Sequence, residues 1–324
     1  MVFSRATESM LRQVLASLLP GSDTPEALLA RLKQVERGLE PEDEFSLILT
    51  WLGKCRLVHK LCQEQLPLAS VDTYRVPDLI AAFEYDKRIV PVLIEVKKRE
   101  PKNPASLDSD SLSLNGGYLR YAELLSLPML VAWKYRGFWT LFEMQHAKLA
   151  AKNYKIDFDT AMKENLLGPL AGDFLYRLAP GTRIRVRIRK LTEPDSEGGF
   201  DGEVTDAHFE NPLGERVPEI PHLLSLFLFW DSDGEVIEEG NYVVQSFVVP
   251  EVEIAEFASR TLSRIMNAWA GMKQRPVNWR AIIHDASHFA HNSGQLHSVL
   301  REGARYGVVT DLSTLHPSSP PSFL

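Results

Sequence analysis

Two apolar runs joined by a polar turn, with acidic residues at both open ends, constrain this chain more than any other feature. The runs are Leu79-Ile80-Ala81-Ala82-Phe83 and Ile89-Val90-Pro91-Val92-Leu93-Ile94. Tyr85-Asp86-Lys87-Arg88 between them reads as a four-residue hairpin loop. If Glu84 pairs with Ile89, antiparallel register sets Ala82 opposite Pro91, Ile80 opposite Leu93 and Asp78 opposite Glu95. Side chains alternate along a strand, so Glu95 and Lys97 share a face with each other and with Asp78. Pro91 is out of keeping with a central strand, because it has no N–H for the ladder. A bulge or a late strand start would absorb it.

Two carboxylates and an ammonium gathered at the end of a greasy hairpin need a chemical reason. Side by side the carboxylates repel, and more strongly near a dry core. A divalent cation relieves this. Mg²⁺ takes one or two protein carboxylates and leaves its other positions to water and phosphate. Such an ion polarises a phosphodiester and lowers the pKa of a bound water. Lys97 is placed to orient that water or to neutralise charge on the phosphate.

On Pro77-Asp78 and Glu95-Val96-Lys97, set in a strand, a turn and a strand, the chain resembles the PD-(D/E)XK nuclease superfamily, the restriction-endonuclease-like phosphodiesterases. The resemblance implies Mg²⁺ or Mn²⁺ held by Asp78, Glu95 and the carbonyl of Val96, with Lys97 serving the attacking water. It also implies an acid on the helix before the hairpin, for which Glu44 is chosen among Glu42, Asp43 and Glu44. It covers roughly residues 41 to 145, about a third of the chain. A second acidic-any-Lys triplet, Glu100 to Lys102, lies among Pro101 and Pro104 in a polar stretch and cannot sit in a buried strand. The plain alternative for the first triplet is a surface ion pair, Glu95 with Lys97 or Lys98, capping an ordinary strand.

The downstream order supports a nuclease core. Lys98 to Gly117 is polar and reads as a mobile loop at the strand exit, the kind that handles substrate. Gly117 to Leu127 has helical spacing and is stopped by Pro128; Met129–Trp133 and Phe138–Phe142 follow as strands, joined by Lys134 to Gly137. Lys98, Arg99, Lys102, Tyr118 and Arg120 are the candidate nucleic-acid contacts. Tyr118 and Tyr121 read equally well as half-buried packing residues.

Four regions are expected: an N-terminal helical segment (1–40), the nuclease-like core (41–150), a β-rich module (151–250) and a helical C-terminal region (251–324). The last has a winged-helix-like layout, with helices over 277–290 and 295–305 and a strand after Tyr306, and ends in a disordered tail, Leu315 to Leu324. In Arg183-Ile184-Arg185-Val186-Arg187-Ile188-Arg189 the arginines share one strand face. They read either as a phosphate ladder or, the preferred reading, as partners for Asp201, Glu203 and Thr205 on the next strand. His284, His288 and His291 share a helical face; two histidines one turn apart can bind zinc, yet no cysteine or well-spaced third ligand to such a pair is evident nearby, which favours a packing or surface role.

At 324 residues, 44% hydrophobic and 24% charged, the chain can hold more than one domain. A net charge of −7 counts against indiscriminate coating of nucleic acid. No apolar run approaches a membrane span, and no signal peptide is evident. Cys55 and Cys62 are expected two turns apart on one helix, unable to bridge, which fits a reducing, cytoplasmic setting. The expectation is a mixed α/β, restriction-endonuclease-like protein: a Mg²⁺-dependent endonuclease, acting on DNA more than RNA, as a homodimer or with a partner protein, in a defence or mobile-element setting. The competing reading is an inactive nuclease-fold scaffold that binds nucleic acid or protein; a small-nucleotide phosphohydrolase would need a closed pocket instead.

Overall fold

The computed structural model describes residues 41–99, 111–151, 153–193, 200–217, 233–251, 255–271 and 295–324. The expected helices over 1–40 and 277–290, Lys102 and the three histidines at 284, 288 and 291 lie outside the described residues.

Helix α1 (Pro41–Leu52) starts on a proline and three acids, Glu42, Asp43 and Glu44, which suit the positive end of its dipole. Gly53, with φ +98°, breaks it. Strand β1 (Cys55–Lys60) follows at once, so Cys55 lies on a strand and Cys62 beyond it, not together on a helix as the sequence suggested. Both thiols are free, and burial pushes Cys55 up to about 11, leaving it unreactive at neutral pH.

Strands β2 (Leu79–Tyr85) and β3 (Arg88–Arg99) form the hairpin in the expected register: Glu84 faces Ile89, Ala82 faces Pro91 and Ile80 faces Leu93. The turn is tighter than expected. Tyr85 pairs with Arg88, leaving only Asp86 and Lys87, both left-handed at φ +45° and +63°. That geometry follows the natural twist of the strands.

Pro91 needs no bulge. Strand β4 (Ser111–Asn115) and helix α2 (Gly117–Leu125) carry the chain over to β5 (Met129–Tyr135), which pairs parallel with β3 only from Leu93 onward. Leu93 N–H already points to that side, donating to the Pro128 carbonyl at 2.9 Å. By alternation the Pro91 nitrogen faces the same side, before β5 begins, where no ladder bond is lost. Strand β6 (Phe138–Glu143) completes a mixed sheet of order β1-β2-β3-β5-β6, its turn from β5 made by Arg136 and Gly137 with positive φ.

Alternation divides the core across this sheet. Val92, Ile94, Val96, Leu130 and Ala132 pack toward α1, whereas Leu93, Val131 and Trp133 pack toward the α2 side. Strands β7 (Lys148–Ala150) and β8 (Asn153–Asp157) join β4 in a small antiparallel sheet over the second face. Helix α3 (Phe158–Lys163) follows, with the Asp157 carboxylate accepting from Thr160 N–H at 2.8 Å as its cap.

Further along the chain, and packed into the same core, β9 (Phe174–Leu178) lies between β15 (Ala255–Phe257) and β16 (Val309–Thr314). A five-stranded antiparallel sheet contains β10 (Arg183–Lys190), β11 (Gly202–Glu210), β12 (Arg216–Val217), β13 (Asp233–Glu239) and β14 (Tyr242–Val248), in the order β12-β11-β10-β14-β13. Helices α4 (Ala258–Gly271) and α5 (Gln295–Arg305) are the remaining described α-helices. The strand after Tyr306 is therefore β16, paired with β9, and not the start of a separate wing.

The tail is ordered, contrary to expectation. Ser318 N–H donates to the Lys163 carbonyl at 2.7 Å, and Ser322 donates through N–H and hydroxyl to the buried Glu143 carboxylate, each at 2.6 Å. Gly168 admits the strand's approach: a Cβ there would fall 2.0 Å from the Leu315 carbonyl oxygen.

Candidate active site

The hairpin delivers Asp78, Glu95 and Lys97 to one place. Asp78 directly precedes β2, and its Oδ2 accepts from Val96 N–H at 2.8 Å, which holds the carboxylate against the strand carrying Glu95. Glu95 is 1% exposed, and Lys97 donates to its Oε1. Its Oε2 is buried with no hydrogen-bond partner. A buried acid with an orphan oxygen is costly to charge. Burial first, then the Asp78 charge, push Glu95 up to about 7; Lys97 and the Tyr118 hydroxyl pull the other way.

Tyr118 enters from the first turn of α2. Lys97 Nζ lies 5.8 Å from its ring centroid. Burial, the Glu95 carboxylate and Asp78 raise its phenol, while Arg75 lowers it. Arg75 is a site neighbour the sequence did not single out. Its N–H donates to the Gly117 carbonyl at 3.2 Å, and a Cβ on Gly117 would fall 2.7 Å from Arg75 Cγ. Glycine there lets the loop before Asp78 close onto α2.

The donor set fits Mg²⁺ or Mn²⁺. Among the described residues no three or more His, Cys, Asp or Glu side chains form a metal cluster; the acids that meet here are Asp78 and Glu95. That is the sparse oxygen set a hard ion uses when water and phosphate fill its other positions. The orphan Oε2 of Glu95 is the atom that a cation would satisfy.

Glu44 belongs elsewhere. Its carboxylate takes Lys134 Nζ at 2.6 and 2.7 Å, Trp139 Nε1 at 3.1 Å and the Ser263 hydroxyl. Lys134 sits in register with Lys98 and Trp139, so all three lie on the sheet face opposite Glu95 and Lys97. The helix of α1 does precede the hairpin, but it packs on the wrong face for this acid to join the pair.

The remaining candidates are dispersed. Lys98 is exposed on that opposite face. Arg99 donates to the Ser111 carbonyl, and Arg120 Nε to the Thr73 carbonyl at 2.8 Å. The arginine row of β10 pairs across strands, as the preferred reading had it, with Glu203 among the expected partners and two acids not foreseen: Arg189 with Glu203, Arg185 with Glu210 and Arg187 with Glu239.

No protein-family model and no curated protein matches the chain. Among solved structures, Archaeoglobus fulgidus Hjc, a Holliday junction resolvase from an archaeal hyperthermophile, is similar over 37% of this chain and 88% of its own, at 20% identity and a TM-score of 0.27.

Proposed function

We propose that the chain is a metal-dependent nuclease of the PD-(D/E)XK kind, hydrolysing phosphodiester bonds at Asp78, Glu95 and Lys97, with DNA as its first substrate and RNA as the comparison. The observation that carries the reading is the buried Glu95 carboxylate, its Oε2 unpartnered, beside an Asp78 anchored to the same strand. A bound Mg²⁺ would supply Lewis acidity and an activated water. Asp78 and Glu95 would hold it, with the Val96 carbonyl. Lys97, partly exposed at the mouth of the site, orients water and meets negative charge on the phosphate. Tyr118, whose hydroxyl lowers the Glu95 carboxyl, lines the site on its α2 side.

The competing reading is a scaffold that keeps the fold without turnover, and one comparison separates them. Purified protein should cleave DNA with Mg²⁺ or Mn²⁺, stop in EDTA, and bind with little cleavage in Ca²⁺. Lys97→Ala should lower single-turnover cleavage on the order of 10²-fold with a smaller loss of affinity. Arg189→Gln, at an exposed ion pair on the second sheet, is the matched loss of one charge. Equal effects of the two substitutions, or full-rate cleavage in EDTA, would remove the enzyme reading.

A further inference from the structure

The loop between β1 and β2, which ends at Asp78, exposes two leucines, and nothing in the chemistry above uses them. Leu66 is 83% and Leu68 76% exposed, among the most exposed large apolar side chains described. They are not on a loose tip. At the loop's root, Leu61 N–H donates to the Asp78 carbonyl at 2.9 Å. Within it, Gln65 Nε2 donates to Ser70 Oγ at 2.7 Å, and Ser70 N–H to the Pro67 carbonyl at 2.8 Å. Its far side is pinned to α2 by the Arg75 N–H to Gly117 carbonyl bond and the Arg120 to Thr73 carbonyl bond.

The leucines are thus presented on a braced support that grows from one proposed metal ligand and leans on the helix bearing Tyr118. Held in water they forgo the favourable burial of apolar surface. The charges around them indicate what they meet. Arg75 and Arg120, both exposed, stand at the loop's base on the α2 side, and Arg75 also acts on the Tyr118 hydroxyl at the site. The loop itself carries Glu64 and Asp72, which disfavours a long contact with continuous backbone. A basic base with an apolar, uncharged tip suits insertion against the face of a base rather than tracking along phosphates.

We infer that Leu66 and Leu68 form a wedge that packs on the exposed base face at a single-strand to double-strand boundary or a duplex end, and so selects such DNA for the Asp78–Glu95 site. The inference rests on the nuclease reading and deepens it. Both side chains are exposed, so replacing them with serine leaves the fold in place.

The test uses the full chain in Ca²⁺, where binding is read without turnover, with 2-aminopurine at the first base pair of a forked duplex. Wild type should raise the fluorescence by unstacking that base and prefer the fork over a continuous duplex. The double variant Leu66→Ser, Leu68→Ser should lose the signal and about tenfold or more of fork affinity, with continuous-duplex affinity little changed. Lys97→Ala should retain the signal while losing cleavage in Mg²⁺. The wedge is overturned if wild type cleaves in Mg²⁺ while the double variant keeps the same fork preference and signal. It is also overturned if the wild type sediments as a dimer that the double variant does not form, because the leucines then cover a second copy. Absence of both binding and cleavage by wild type would overturn the nuclease reading itself, and the wedge with it.

Discussion

Replacing Glu95 with glutamine should make the metal-free protein more stable at alkaline pH while abolishing its response to metal. Glu95 is buried, and its carboxyl sits at about 7 against an ordinary value of 4.5. In the folded state it therefore keeps its proton where the unfolded chain has lost it. The stability this brings is fully present below about pH 4.5 and disappears as pH rises through 7. A shift of that size corresponds to about 3 kcal/mol. This is already net of the help from Lys97. Glutamine keeps the shape and removes the charge, but gives up the ion pair, so the expected gain at pH 8 is about 1–3 kcal/mol. In a chain of this size that is a rise in Tm of several degrees. Thermal denaturation in EDTA at pH 5 and pH 8, repeated with excess Mg²⁺, reads all of it. Wild type should lose ground to Glu95→Gln between pH 5 and pH 8, and Mg²⁺ should restore wild type alone. Equal destabilisation by the substitution at both pH values, or equal stabilisation of both proteins by Mg²⁺, would refute the reasoning.

Two further outcomes test the surrounding architecture. Glu44→Gln leaves Lys134 buried without its counter-charge and should cost about 3 kcal/mol or more in a denaturant titration; cleavage per folded molecule should be unchanged, and a loss like that of Lys97→Ala would return Glu44 to the site. Asp173, fully buried, caps α4 by accepting from Ser259 N–H at 2.9 Å and hydroxyl at 2.7 Å, and burial holds its carboxyl up at about 6. Its contribution is present below about pH 4 and lost as pH rises through 6, by about 3 kcal/mol at most. Asp173→Asn should flatten that part of the stability–pH curve, and an unaltered slope would contradict the assignment.

What was legible in the sequence was local and periodic. The hairpin register followed from two apolar runs whose alternation tolerates no one-residue slip without turning the core outward. The meeting of Asp78, Glu95 and Lys97 followed from that register. What was hidden depended on partners far along the chain. Glu42, Asp43 and Glu44 are alike in sequence, and Glu44 is committed to the other face by Lys134 and by Ser263, 219 residues away. Pro91 looked troublesome because nothing local shows that β5 begins only opposite Leu93. The polar tail read as disordered because its acceptor, Glu143, lies on β6. Arg75 carried no signal in an irregular loop, and it reaches the site through the space left by Gly117. The two tight turns were missed because Asp86, Lys87 and Arg136 adopt left-handed conformations that favour glycine or asparagine.

The most direct measurement is anomalous scattering from crystals grown with Mn²⁺. The account predicts a peak within coordination distance of the Asp78 and Glu95 carboxylates and the Val96 carbonyl, absent from Glu95→Gln crystals. Mn²⁺ bound elsewhere, or a bare Asp78–Glu95 pair in crystals of a protein that cleaves DNA with Mn²⁺, would contradict it.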